Sequence, residues 1–135
     1  MTDQEIRNVI ADTERAINSL YDQQREYKEK HPVYRELHVF DENKSVKWNR
    51  EEAQRQNELR QKELYRYQKK ISAQYSNLHD AFMEYIKDEY GLSEEAAKLV
   101  YNAAYEDGHH AGYYEVLTYI ATYADFANNI IKTIK

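Results

Sequence analysis

Residues 48–90, WNREEAQRQNELRQKELYRYQKKISAQYSNLHDAFMEYIKDEY, contain neither glycine nor proline. Leu64, Ile71, Leu78 and Tyr85 recur in this stretch every seven residues, with Tyr67, Tyr75 and Phe82 between them. A seven-residue apolar repeat keeps one seam along one face of a helix, and such a seam asks for a helical partner. The N-terminal part differs, because residues 49–63 hold only Ala53 and Leu59 among Arg, Gln, Glu, Asn and Lys. That part reads as a solvated helix supported by i,i+4 pairs such as Glu51–Arg55 and Glu58–Lys62. The stretch therefore points to an all-α fold.

Working outward, Gly91 stops this helix and Ser93, Glu94 and Glu95 start another. Ala103, His110, Leu117, Ala124 and Ile131 form one stripe there, with Tyr113, Ile120, Ala127 and Ile134 beside it. Val116, Tyr119, Tyr123, Phe126 and Ile130 form a second apolar line. The period stays in phase across Gly108 and Gly112, so the sequence predicts one continuous helix, bent there, to the C-terminus. Upstream, Thr2 and Glu5 have the spacing of a capping box, followed by Ile6, Val9/Ile10, Ala16/Ile17 and Leu20 on one stripe. His31-Pro32 ends that helix.

The expected architecture is a single domain over 1–135, built on a long antiparallel helical hairpin of about 47–90 and 94–134. An N-terminal helix at about 3–30 packs on it, and residues of about 31–46 form a linker, with a short extended piece around Leu37–Phe40. In such a hairpin Ile130 and Ile131 fall opposite the polar stretch near Ala53. That mismatch predicts a homo-oligomer, a dimer first, in which another copy covers the apolar end.

Composition agrees with a helical chain. Three glycines and one proline in 135 residues leave few places to turn, which excludes a sandwich of many short strands. There is no cysteine, hence no disulfide or thiolate metal site. No apolar run reaches the roughly 18 residues of a membrane span, and the polar N-terminus does not resemble a signal peptide. These features predict a soluble, cytoplasmic protein without a membrane partner. The net charge of -5 disfavours a dedicated nucleic-acid binder. The charge is unevenly spread, with net -4 over residues 1–43, +5 over 44–70 and -6 over 71–135.

The most unusual segment is Glu106-Asp107-Gly108-His109-His110-Ala111-Gly112-Tyr113-Tyr114-Glu115-Val116. On a continuous helix His109, Tyr113 and Val116 share one face, whereas Gly108, Ala111, Gly112 and Glu115 make another that is nearly bare. A bare face permits close approach of a neighbouring helix, and that is the bland reading. The sharper one is a metal site, because Glu106-x-x-His109 has the Glu-x-x-His spacing of di-iron carboxylate bundles. Such a site needs a second motif, supplied by a symmetric copy, and further carboxylates such as Glu84, Glu89 or Glu115. The sequence as a whole leads to the expectation of no metal and no cofactor.

Catalytic signatures are missing, including a Gly-x-Ser-x-Gly elbow, a His-Glu-x-x-His pair and a phosphate-cradling glycine loop. The sequence thus points away from an enzyme. The basic, aromatic-interleaved run through Trp48, Arg50, Arg55, Arg60, Lys62, Tyr65, Arg66, Tyr67, Lys69 and Lys70 reads either as a solvated face or as a surface for an acidic partner. Direct nucleic-acid binding is the less favoured alternative. Tyrosine is abundant, with fourteen in the chain, and Tyr101, Tyr105, Tyr113, Tyr114, Tyr119 and Tyr123 crowd one short region. Tyrosine and arginine dominate binding hot spots. Tyrosines and histidines around Gly108 and Gly112 also suit a small-ligand pocket that stacks a nucleotide.

Gly108-His109-His110-Ala111-Gly112-Tyr113-Tyr114-Glu115-Val116 resembles a Gly-His-x-x-Gly-Tyr-x-Glu-Val segment of small helical phage-encoded accessory proteins. The resemblance implies a protein acting in a bacterial host cell as a stoichiometric inhibitor of a host enzyme or defence system, as anti-CRISPR proteins do. The implied partner is a host protein or protein–nucleic-acid complex. No catalytic residue follows from the resemblance, which singles out His109, Gly112, Tyr113 and Glu115. The candidate binding residues are therefore Gly108, His109, Gly112, Tyr113, Glu115 and Tyr105, together with Trp48, Arg55 and Arg66.

Overall fold

The computed structural model describes residues 1–134, with side chains through Ile131. Four helices account for most of it: α1 (Asp3–Lys30), α2 (Val46–Tyr90), α3 (Glu94–Gly108) and α4 (Tyr113–Ile134). Single 3-10 turns occupy Glu36–His38 and His109–Ala111, and there is no strand among the described residues. The class is all-α. Among the described residues no helix is long and apolar enough to cross a membrane.

The helix ends follow from local chemistry. Thr2 Oγ1 accepts from the Glu5 N–H at 3.1 Å, capping α1. At the other end of α1 the His31 N–H reaches the Tyr27 carbonyl at 2.8 Å, and Pro32 follows. The Ser45 hydroxyl accepts from Trp48 N–H at 3.0 Å at the start of α2. Gly91 sits at φ +64°, a left-handed position that ends α2 without the penalty a side chain would bring. Ser93 then caps α3 by accepting from Ala96 N–H at 3.2 Å.

The last helical segment departs from the sequence expectation. It is two helices, not one over 94–134, and the break lies at Gly108–Gly112. Gly112 adopts φ +110°, which side-chain-bearing residues rarely enter, and so permits the turn. Gly108 is buried, and a Cβ there would come within 2.9 Å of Val116 N and 3.0 Å of Val116 Cα. The two glycines therefore serve a turn and a close approach of α4 to α3, instead of a bare face shared along one helix. Asn128 Nδ2 donates to the Tyr90 carbonyl at 3.2 Å, so the far part of α4 returns to the C-terminal end of α2. This replaces the register of a full-length hairpin, and with it the argument that set Ile130 and Ile131 opposite Ala53. The expected extended piece around Leu37–Phe40 is likewise corrected, since residues 36–38 form a 3-10 turn. Ile134 of the predicted stripe lies outside the described side chains.

The chain divides into two compact units, and the division falls inside α1 and α2. One unit comprises residues 1–15 and 74–135, and the other residues 16–73. The first has 14 acidic and 6 basic side chains, a formal net of -8. The second has 10 acidic and 13 basic, a net of +3. They are called the acidic and basic units below.

The acidic unit holds a continuous core. Ile6 and Ile10 of α1, Leu78, Phe82 and Ile86 of α2, Ala97, Val100 and Ala104 of α3, and Val116, Leu117, Ile120 and Ala124 of α4 are all buried in it. Their three- and four-residue spacings are those of single helix faces. Burial of each large side chain contributes about 1.5–3 kcal/mol. Of the heptad seam predicted through Leu64, Ile71, Leu78 and Tyr85, the last three positions are buried and Leu64 is half-buried.

The basic unit buries fewer apolar groups, with Ile17, Ala53 and Ile71 inside. Its connecting segment is held mainly by side-chain amides. Asn57 Oδ1 accepts from Tyr34 N–H at 2.7 Å, while its Nδ2 donates to the Tyr34 carbonyl at 2.9 Å. Asn49 treats Asp41 in the same way, at 2.9 and 3.3 Å, and also donates to the Ser45 carbonyl. Asn49, Ala53 and Asn57 are spaced by four residues, so one stripe of α2 carries both clamps with a small residue between them. Arg60 Nε adds a 2.7 Å bond to the His31 carbonyl.

Candidate functional site

The α3–α4 turn brings tyrosines from three helices together within the acidic unit. Tyr101 and Tyr105 lie on α3 with ring centroids 5.9 Å apart and an interplanar angle of 26°. Tyr105 stacks on His109 at 4.6 Å and 12°, and its carbonyl accepts from His109 Nδ1–H at 2.7 Å. That bond pins the imidazole against the end of α3. Tyr113, the first residue of α4, lies 6.3 Å from Tyr75 of α2 and 6.5 Å from Tyr105. Beneath them Phe82 is fully buried, with its ring 5.6 Å from Tyr101 and 6.0 Å from Tyr113. Tyr75, Tyr101, Tyr105, His109 and Tyr113 line an open cleft of about 460 Å³.

The Tyr101 and Tyr113 hydroxyls are held in their neutral form. Burial, followed by the neighbouring Tyr105 and Tyr75 and by Glu14, pushes the Tyr113 phenol up to about 12. Burial, then Tyr113 and Tyr105, pushes the Tyr101 phenol well above its ordinary value. A cluster of phenol rings over a packed Phe82 is an amphipathic surface, apolar in its rings and able to donate hydrogen bonds at its edges.

Of the residues predicted to bind, Tyr105, His109 and Tyr113 are brought together in this cleft. Gly108 and Gly112 lie behind it as the turn that makes it, and they do not line it. Glu115 is exposed in the first turn of α4, where a carboxylate favours the positive end of the helix. Tyr75 and Tyr101 complete the walls. Tyr75 was legible only as a seam residue of α2.

Trp48, Arg55 and Arg66 belong to the basic unit and are engaged locally. Lys44 Nζ sits 5.6 Å from the Trp48 ring centroid. Arg55 forms two bonds to Glu52, at 2.5 and 3.0 Å, and these hold the Glu52 carboxyl down at about 2. Arg66 bonds Glu63 at 2.5 Å, Arg50 bonds Glu36 at 2.9 Å, and Lys69 lies over the Tyr65 ring at 4.8 Å. The basic run is thus laced with its own acids and rings. Such exposed pairs contribute about 0–1 kcal/mol each. The basic unit also has a wider, open groove of about 960 Å³ between residues 34–37 and α2, in which Glu36 and Arg50 face each other as an ion pair.

The Glu106-x-x-His109 pair is not joined by further ligands, as no three His, Asp or Glu side chains converge among the described residues. The Asp107 carboxylate next to it accepts from the Tyr123 hydroxyl, tying α3 to α4. No protein-family model matches the chain, and neither the curated proteins nor the solved structures provide a match.

Proposed function

We propose that this chain is a binding protein and that the tyrosine-lined cleft of the acidic unit is its working surface. The observation that carries the reading is the convergence of four tyrosines and His109 on one cleft over a packed floor. Tyrosine supplies a large contact area with little side-chain entropy to lose, and it is enriched among the residues that dominate binding energy. Half-exposed Tyr75 and Tyr105 are the accessible rings, at 40% and 39%.

The Gly108–Val116 resemblance extends the proposal to a stoichiometric inhibitor of a bacterial host enzyme or defence system, acting in the host cytoplasm through protein–protein contacts. An oligomer remains part of it. Its support is now the exposed Leu99, Phe126, Ile130 and Ile131 side chains of α3 and α4, and sedimentation at several concentrations tests it.

The binding reading is tested by capture from bacterial lysate with wild type, Tyr105→Ala and Arg66→Ala. A partner lost with Tyr105→Ala and kept with Arg66→Ala supports the cleft. A partner indifferent to Tyr105 but lost with Arg66→Ala moves the working surface to the basic unit. Gly112→Leu is unsuitable for this purpose, since φ +110° makes it a backbone perturbation.

A further inference from the structure

The chemistry of the cleft narrows what can enter it. None of its described lining residues is Lys or Arg. The cleft belongs to the unit with a net charge of -8, and Glu14 lies close enough to the Tyr113 hydroxyl to oppose its ionisation. Among the described lining residues a phosphate or carboxylate finds no Lys or Arg to pair with, which weighs against the nucleotide alternative raised by the sequence. A neutral ring stacks on tyrosine but gains nothing from the surrounding acids.

A cation gains from both. The face of each phenol ring carries the negative part of its quadrupole, and cations held over several such faces are attracted most when water is displaced. The four phenol rings are not one parallel stack. Tyr101 and Tyr105 are inclined at 26°, Tyr75 and Tyr113 at 38°, and Tyr105 and Tyr113 at 44°. The rings that line the 460 Å³ space are thus inclined to one another, with Tyr105 stacked on His109.

We infer that the cleft accepts an alkylammonium group, presented by a lysine side chain of the partner protein. The apolar stem of such a side chain lies along the rings while its charged head meets their faces and the acidic field. The inference rests on the reading of the cleft as the working surface, and it names the chemistry that enters.

The test titrates the full chain with four probes, following tyrosine-ring shifts by NMR: blocked lysine, blocked trimethyllysine, blocked Nε-acetyllysine and AMP. The acetylated form keeps the stem and removes the charge. The expected result is binding of trimethyllysine at least tenfold tighter than of acetyllysine, with lysine between them and no shift with AMP. Tyr105→Leu should weaken the trimethyllysine complex about tenfold and Tyr105→Phe by less than threefold, both with wild-type circular dichroism. Equal affinity for the charged and acetylated forms overturns the inference, as does AMP binding or silence with every lysine probe up to tens of millimolar. Those failures leave the binding reading standing if a captured partner is still lost with Tyr105→Ala. If the partner is also indifferent to Tyr105, both fall.

Discussion

The acidic and basic units share the two long helices α1 and α2, yet they are held together by different physics. In residues 1–15 and 74–134 a dozen or so apolar side chains from four helices close a core around Phe82, and tyrosines cover its edge. In residues 16–73 the buried apolar groups are few, and the connecting segment is fixed by amide clamps from Asn49 and Asn57. Charge divides along the same line, -8 against +3. The comparison teaches where a binding surface can be rigid. A packed core fixes rings at defined angles, whereas a clamped segment carries exposed Val33, Leu37 and Phe40 with little beneath them.

The contrast is broken most easily at Phe82. Phe82→Ala removes a fully buried ring under the cleft and should cost about 3–5 kcal/mol in urea denaturation. A loss below 1 kcal/mol would mean the acidic unit has no tight core. Gly108→Ala comes next, because its Cβ would meet the Val116 backbone at 2.9–3.0 Å. Overpacking of this kind costs about 1–3 kcal/mol, read as a lowered Tm, and an unchanged Tm would contradict the close approach of α3 and α4.

Alkaline pH sharpens the comparison further. The Tyr101 and Tyr113 phenols are raised in the folded state, chiefly by burial. Their contribution is fully present below the unfolded value near 10 and is lost as pH rises through the folded value, about 12 for Tyr113. Stability should therefore fall between about pH 10 and 12, and Tyr113→Phe should flatten that fall. An identical pH profile in wild type and variant would contradict the burial of this hydroxyl. Asn57→Ala is expected to have the smallest effect, about 1–2 kcal/mol from two lost backbone bonds. Its signature is faster proteolysis within residues 31–45, and a loss as large as that of Phe82→Ala would erase the distinction between the units.

The all-α class, the Pro32 and Gly91 stops and the Ile71–Leu78–Tyr85 seam were legible because each is a local or periodic signal. The break at Gly108–Gly112 was not. The apolar period stays in phase across it, so a glycine pair on a helix and a glycine pair in a turn read alike. What decides between them is the packing of Gly108 against Val116 across the turn, which no spacing reports. The same return explains the site. Tyr105, His109 and Tyr113 stood out as neighbours in sequence, but their meeting with Tyr75 needs the turn to be made first. Asn49 and Asn57 were hidden for another reason, since an asparagine in a polar helix looks solvated until a backbone arrives to pair with it.

The central claim is that binding belongs to the tyrosine cleft of the acidic unit and not to the basic run. Backbone amide NMR of the full chain during titration with blocked trimethyllysine tests it most directly. The account predicts shifts clustered at Tyr75, Tyr101, Tyr105, His109 and Tyr113, with Arg50–Lys70 silent. Shifts concentrated on Arg50–Lys70, with the tyrosines unmoved, would contradict it.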